Sequence, residues 1–254
     1  MPNIELDHVT KLYRSPRLFR RSMETGVEQI SLSIQQGEFV FVTGKSGAGK
    51  STLLNLISGQ TRPSRGKVYV DQKDLAWLLK LSRNRAATIF GKVCQEPTLI
   101  RKRTIEENLA LAAKIVLTKE PSQMTEARIK KVLALVGMRG VEKKYPVELS
   151  IGECRRVELA RAMIGSPPVL ILDEITANLD EDSIWDILHL LGDINRRGTT
   201  VIMATHASQY VNIMRRRVIT LSEGRLLGDV KKGKYGDVLG RKEDTFLIYR
   251  TDSI

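Results

Sequence analysis

Hydrophobic and polar residues alternate along the first quarter of the chain in a way that predicts strands. Residues 3–13 alternate apolar and polar positions, with Ile4, Leu6 and Val9 the apolar ones, and Ile30, Leu32 and Ile34 alternate strictly. This is the period-2 pattern of a half-buried strand. Val68 and Val70 repeat it after the turn-forming Pro63-Ser64-Arg65-Gly66. A small antiparallel sheet is expected here, with Arg14–Gly26 as basic, turn-like material between its first two segments.

Further runs are apolar without interruption: Phe39–Thr43, Val169–Leu172 and Thr200–Ala204. Such runs predict parallel strands buried on both faces. Each leads through a polar or glycine-rich turn into a helical pattern, the ordering of an α/β core. From about 96 to 150 the pattern changes to helix without strands. Thr104-Ile105-Glu106-Glu107 has the spacing of a capping box, and Ile105, Leu109, Ala112 and Val116 then fall on one face. Ile129, Val132, Leu133 and Val136 form a second stripe, closed by Gly137. These residues are expected to form a helical subdomain inserted in the α/β core.

The chain has 254 residues, 42% of them hydrophobic, enough for one sizeable domain. No apolar run approaches the ~20 residues of a membrane-spanning helix, and the first residues lack the apolar stretch of a signal peptide. The expectation is a cytoplasmic protein whose membrane role, if it has one, goes through a partner. Cys94 and Cys154 are the two cysteines, which argues against a disulfide framework or a zinc site. The formal charge of +12 implies attraction to anionic surfaces. Basic residues gather between Lys11 and Arg21 and again in the last thirty residues. Neither stretch interleaves aromatic residues that would stack on bases, which argues against nucleic acid and keeps anionic lipid as a contact.

The chemistry begins directly after the Phe39–Thr43 run. Gly44-Lys45-Ser46-Gly47-Ala48-Gly49-Lys50-Ser51-Thr52, followed by the apolar Leu53–Ile57, is G-x-x-x-x-G-K-[ST] in its strand–loop–helix setting. The glycines let backbone amides turn inward around phosphates, and the helix presents its positive N-terminus to them. Lys50 is positioned to reach the terminal phosphates and Ser51 to ligate Mg²⁺. Val169–Leu172 runs into Asp173-Glu174, carboxylates at the strand end where an α/β sheet collects ligands. Asp173 suits an outer contact to the metal and Glu174 the orientation of an attacking water. The fold class follows: α/β, a P-loop NTPase core with a small antiparallel β subdomain and the inserted helices, using ATP and Mg²⁺.

Leu149-Ser150-Ile151-Gly152-Glu153, just before the Asp-Glu strand, resembles the LSGGQ/LSGGE signature of ATP-binding-cassette proteins. Ser150-x-x-Glu153 is also an ordinary capping box. In that family the serine and the helix N-terminus contact the γ-phosphate held by the other subunit. The resemblance therefore implies a homodimer formed on ATP, with Ser150 and Gly152 completing the partner's site. It also implies adenine stacking on Tyr13, a metal and water contact for Gln95, a dimer-crossing loop at Ala177-Asn178-Leu179-Asp180, and a γ-phosphate contact for His206. Lys50, Gln95, Glu174 and His206 form the catalytic set. His8 and His189 lack such a setting. The likeness covers about 3–228; 1–228 is assigned to the ATPase domain, and 229–254 is left as a basic extension.

Within the family, the wording of Arg103–Asn108, Arg197–His206 and Arg215–Arg225 is similar to the division-associated FtsE group, and much of it is shared with LolD- and MacB-type ATPases. The former implies an FtsX-like integral membrane permease as partner and a peripheral place on the cytoplasmic face of the membrane. A lipoprotein-release or export ATPase, a soluble non-transport ATPase and an ATP-binding scaffold are the alternatives. Ile151 stands where the signature has glycine, Ile175 where proline is usual and Ala207 where aspartate often follows the histidine. A stiff β-branched side chain at 151 is expected to hinder close approach of a phosphate and slow turnover.

Overall fold

A computed structural model describes residues 3–14, 23–81, 84–117 and 122–238. Much of the first basic stretch, 15–22, and most of the basic extension, 239–254, lie outside the described residues. Two sheets organise the rest. β1 (Ile4–Arg14), β2 (Met23–Ile34), β4 (Arg65–Val70) and the short β5 (Lys73–Asp74) form an antiparallel sheet in the order β2-β1-β4-β5. β2 begins at Met23, so its first residues belong to the sheet and not to the turn material expected there; β1 pairs with them through Tyr13 opposite Glu24. Without a hydrophobic alternation of their own, these residues gave no sequence signal.

The second sheet contains β3 (Phe39–Thr43), β6 (Phe90–Val93), β7 (Val169–Asp173), β8 (Thr200–Ala204), β9 (Arg217–Ser222) and β10 (Arg225–Val230). Their order is β10-β9-β3-β8-β7-β6. All neighbours are parallel except β9 and β10, which form a hairpin. The expected parallel runs are present, and β6 and β9 extend them. The order matters because it sets the C-terminal ends of β3, β8, β7 and β6 side by side. The loops that begin at Gly44, His206, Glu174 and Gln95 leave from those four ends.

Strand alternation splits the interior in two. Phe39, Phe41, Leu170, Leu172, Val201 and Met203 face one hydrophobic cluster, while Val40, Val42, Val169, Ile171, Ile202 and Ala204 face the other. The first cluster takes the apolar faces of α4 (Ile105–Val116), α5 (Ser122–Leu135), α6 (Ile151–Met163) and α7 (Glu181–Arg196). The second takes α1 (Lys50–Ile57) and the inner face of the antiparallel sheet, with α2 (Leu75–Leu81) against its edge. Two-sided burial explains why the parallel strands read as unbroken apolar runs. α3 (Asn84–Ile89) leads into β6, and α8 (Ser208–Met214) lies between β8 and β9. Among the described residues no helix is long and apolar enough to cross a membrane.

The inserted helices follow their sequence signals closely. Thr104 caps α4 with Glu107 closing the box, as its spacing predicts. The buried face of α4 is Ile105, Asn108, Leu109 and Ala113. Ala112 and Val116 are only half-buried, so the stripe is rotated by one residue from the expected one. The cause is Asn108, a polar residue that periodicity assigned to no core. It is 2% exposed. Its Oδ1 accepts from the Ile100 amide at 2.7 Å, and its Nδ2 donates to the carbonyls of Ile100, Arg103 and Thr104 at 3.2, 3.2 and 2.9 Å. One amide thereby ties the turn that enters the insertion to its first helix. β10 runs to Val230, past the expected domain limit at 228, and 231–238 fold back against the second sheet.

Replacing Asn108 by Leu keeps the volume and strands these backbone groups without a partner. We expect a loss of about 3 kcal/mol, seen as a thermal midpoint roughly 6–12 °C lower. A midpoint within a degree of the parent would show that the Asn108 network contributes nothing.

Candidate functional site

Gly44 and Gly49 frame the phosphate loop for steric reasons. At φ 144° and 99° they adopt backbone that other residues rarely reach. A Cβ on Gly44 would lie 2.4 Å from the Leu221 carbonyl oxygen, and one on Gly49 2.4 Å from that of Gly26. The loop is therefore pressed against β9 and β2 by its own backbone. Gly49 caps α1 with no side-chain bond, so the first amides of that helix remain donors for an anion.

Lys50 is 4% exposed, under the loop. Its ammonium donates to the Gly44 and Lys45 carbonyls at 3.1 and 3.3 Å and lies 3.4 Å from Glu174 Oε1. His206 completes the cluster, with Nε2 2.9 Å from both Lys50 Nζ and Glu174 Oε1. Glu174 sits at φ 49° and is pinned there by its amide donating to the Ala204 carbonyl. A left-handed glutamate carries backbone strain, which the adjoining strand holds in place. In the sequence these three side chains follow three different strands, Lys50 at the start of α1 and the other two in the turns after β7 and β8; the sheet order brings them within one hydrogen-bond shell.

An open cleft of about 290 Å³ runs from Tyr13 and Gly26 past Ser46, Lys50 and Ser51 to Gln95 and Glu174. Tyr13 is 38% exposed at its mouth, its hydroxyl 3.5 Å from Thr52 Oγ1. A Cβ on Gly26 would lie 2.6 Å from Cε2 of Tyr13, so that ring rests on bare backbone at the edge of the cleft. The dimensions suit a nucleotide: an aromatic plate at one end, amides and a cation at the other.

Asp173 is buried, and its Oδ1 has no hydrogen-bond partner. Burial pushes its carboxyl above the ordinary range, a hydrogen bond with Ser51 and the charges of Lys92 and Lys50 pull it down, and Glu174 raises it again. An orphaned carboxylate oxygen beside a serine hydroxyl, with the Gln95 amide on the same cleft, is a hard-oxygen donor set that fits Mg²⁺. Lys92 on β6, which the sequence reading did not single out, bonds to Asn55 and Gln60, at 2.6 Å in the latter case. Desolvation lowers its pKa, with Cys94 and Asp173 opposing.

Gln95 is held by a device that no motif announced. Arg155 and Glu158 on α6 form a buried pair at 2.7 Å, 5% and 1% exposed. Arg155 donates to the Cys94 and Gln95 carbonyls, to the former at 3.1 Å. Glu158 accepts from the Thr98 amide and hydroxyl at 2.6 and 3.1 Å, and Arg161 donates to the Thr98 carbonyl at 2.8 Å. The signal available in the sequence was a charged pair at i and i+3 on a face where α6 should be apolar. Cys94 and Cys154 are both free, half-buried thiols. His8 lies on the surface beside Asp7, and His189 packs 5.9 Å from Trp185.

Ser150, Gly152 and Asp180 stand apart from this cleft. Ser150 Oγ accepts from the Glu153 amide and Glu153 Oε2 from the Ser150 amide, at 3.2 and 2.8 Å, so the capping box is formed. Ile151 projects outward, 57% exposed. Asp180 caps α7 through the Ser183 amide and hydroxyl, and that hydroxyl bond chiefly lowers its carboxyl pKa. Ile175, in place of proline, is fully buried in the first cluster, so there it serves packing.

Comparison with known proteins adds to this geometry. The ABC transporter family profile matches residues 27–177. The cell division ATP-binding protein FtsE of Bacillus subtilis is 40% identical over 207 residues, covering 82% of this chain and 90% of that protein. Its namesake from Mycobacterium tuberculosis is 40% identical over 236 residues, with 92% and 98% covered. Among solved structures, the dimeric post-hydrolysis state of the ATP-binding cassette MJ0796, bound to ADP and phosphate, superposes with a TM-score of 0.77 at 28% identity. It covers 91% of this chain and 100% of that one.

Asp173 provides a test of the metal site. Its native pKa lies above the unfolded value of about 3.9. The ionised carboxylate therefore costs stability at neutral pH; the cost is absent below the unfolded pKa and grows as pH rises through the native one. Asp173→Asn is expected to raise the metal-free melting midpoint at pH 8, with the gain vanishing toward pH 4, and to remove the stabilisation by Mg²⁺ with ATP. A lower midpoint at pH 8 would contradict this account.

Proposed function

The chain belongs to the ABC transporter family of ATPases, and from that premise we propose that it is an FtsE-type subunit that dimerises on MgATP and moves a membrane partner. The observation that carries the dimer is the separation of the two halves of the chemistry. Lys50, Glu174 and Gln95 line one cleft, with His206 bonded to the first two, whereas the N-terminus of α6, with Ser150 and Gly152, lies outside it. A second copy, turned about a twofold axis, would offer that helix start to the phosphates. An exposed Ile151 would then lie in the interface.

In this reading the triphosphate takes the anion position that Glu174 now shares with Lys50. The loop amides and Lys50 hold the terminal phosphates, and Tyr13 stacks on adenine. Ser51, Asp173 and Gln95 would hold Mg²⁺, which neutralises charge on the phosphates when bound. Glu174 orients a water and accepts its proton as the water attacks the terminal phosphorus; the bond from that phosphorus to the bridging oxygen breaks and ADP leaves, while His206 donates to an oxygen of the departing phosphate. Because only the closed dimer contacts each nucleotide from both sides, ATP favours it and hydrolysis releases it. The Gln95 loop, fastened to α6, is suited to carry the motion to a partner. The division proteins among the relatives support an FtsX-like permease as that partner and a peripheral place on the cytoplasmic face of the membrane. Anionic lipid is a natural contact for a chain of net charge +12.

Calorimetry with MgATP tests the cradle. Lys50→Ala should weaken binding roughly a hundredfold, the loss of a charge-assisted contact of about 3 kcal/mol; unchanged binding would sink the reading. Glu174→Gln should stall hydrolysis and run as a dimer on size exclusion with MgATP, and co-expression with an FtsX-like permease should retain the chain on membranes. A monomer under those conditions would exclude the shared site. Ile151→Gly should raise turnover roughly three- to tenfold, about 1 kcal/mol of barrier, because the helix start can approach the phosphate more closely. No increase would show that Ile151 does not limit closure.

A further inference from the structure

The segment after β10 is a built turn. The Gly233 amide donates to the Arg216 carbonyl at 3.0 Å, and the Tyr235 amide to Asn212 Oδ1 on α8 at 2.8 Å. The Lys234 amide donates to Asp237 Oδ2 at 2.6 Å, and Thr220 Oγ1 on β9 donates to the Asp237 carbonyl at 2.8 Å. Gly228 leaves room for this return: a Cβ there would lie 2.3 Å from the Asp237 oxygen. The turn therefore has one position, strapped to α8, β9 and β10. It lays the Tyr235 ring against the first hydrophobic cluster and brings its hydroxyl 3.5 Å from His206 Nδ1. Among the described residues no other group bonds to that nitrogen.

The far side of the ring carries the chemistry. His206 Nε2 lies 2.9 Å from Lys50 Nζ, which can only donate, and 2.9 Å from Glu174 Oε1, which as a carboxylate can only accept. A neutral imidazole has one N–H, so Nε2 serves one of these neighbours, and the direction of the bond at Nδ1 goes with that choice; a phenolic hydroxyl is a better donor than acceptor toward imidazole nitrogen. If the Tyr235 hydroxyl donates to Nδ1, the proton resides on Nε2 and points toward Glu174 and the place a terminal phosphate would take. The opposite tautomer would aim a lone pair at an anion.

We propose that Tyr235 is a positioning residue that holds His206 in its Nε2–H tautomer, making hydrolysis depend on the C-terminal turn. This rests on the reading of His206 as the phosphate contact. It gives the residues beyond β10, which lie outside the region matched by the family profile, a function in the active site.

The full-length Tyr235→Phe protein keeps the ring packing and loses the hydroxyl. With MgATP its kcat should fall roughly five- to tenfold, while KM stays within about twofold. Nitrogen-15 spectra of histidine-labelled protein, with His206 identified by its loss in His206→Gln, should show the Nε2–H form in the parent and a mixture of forms in Tyr235→Phe. If that variant does not fold, Asn212→Ala, which frees the Tyr235 amide without altering either ring, should give the same changes in part. An unchanged kcat and tautomer in the variant, alongside an inactive His206→Ala, would overturn the role of Tyr235 and leave the proposed function standing. A His206→Ala protein as active as the parent would instead overturn the phosphate contact itself.

Discussion

A lysine ammonium buried beneath a glycine loop is the constraint around which this molecule is arranged. An isolated buried cation is costly, and Lys50 is 4% exposed. Two loop carbonyls and the Glu174 carboxylate offset that cost. Each of those partners comes from the C-terminal end of a parallel strand, so the cluster exists only if β3, β7 and β8 lie side by side. The carbonyls are fixed by the loop, but Glu174 is a side chain that can leave if a stronger anion arrives. A triphosphate is such an anion. The pocket is thus charge-balanced without ligand and disposed to accept one.

The strength of that arrangement depends on keeping the neighbouring loop in step. Gln95 follows β6, at the sheet edge, where a loop would ordinarily be free to move. Arg155, Glu158 and Arg161 bind its backbone from α6 instead. α6 is the same helix whose first turn carries Ser150 and Gly152. The two ends of the helix are thus joined by one rigid element, fastened to the Gln95 loop by buried ionic and hydrogen-bonded contacts. Removing one member of the Arg155–Glu158 pair would leave the other buried and uncompensated, a loss of about 3–5 kcal/mol. Coupling of this kind is therefore bound up with folding.

Much of this was legible in the sequence. The glycine loop, the Asp-Glu strand end and the parallel strands are local patterns, and local patterns survive translation into structure when burial on both faces leaves no other arrangement. What escaped was non-local or chemically inverted. Asn108 and Glu158 are polar residues in core positions, and only their partners, eight residues away for Asn108 and sixty away for Glu158, reveal why they are tolerated. The first residues of β2 lack alternation because their sheet partner, β1, supplies the order. Tyr235 lay in a stretch that charge composition described as an extension. Its meaning comes from Gly228, whose missing Cβ lets the chain double back.

The turn at 231–238 alters how the family likeness should be weighed. A profile that ends at 177 captures the loop and the acidic strand, which any member must possess to bind and cleave ATP. His206 and Tyr235 lie beyond that limit, in a region that the relatives' alignments still span. A histidine with a donor on one side and an acceptor on the other at equal 2.9 Å distances is poised between two proton placements. In the proposed arrangement the Tyr235 hydroxyl tips that choice. Control of the reaction can therefore reside in residues that touch neither nucleotide nor metal, provided the fold holds them against the one side chain that does.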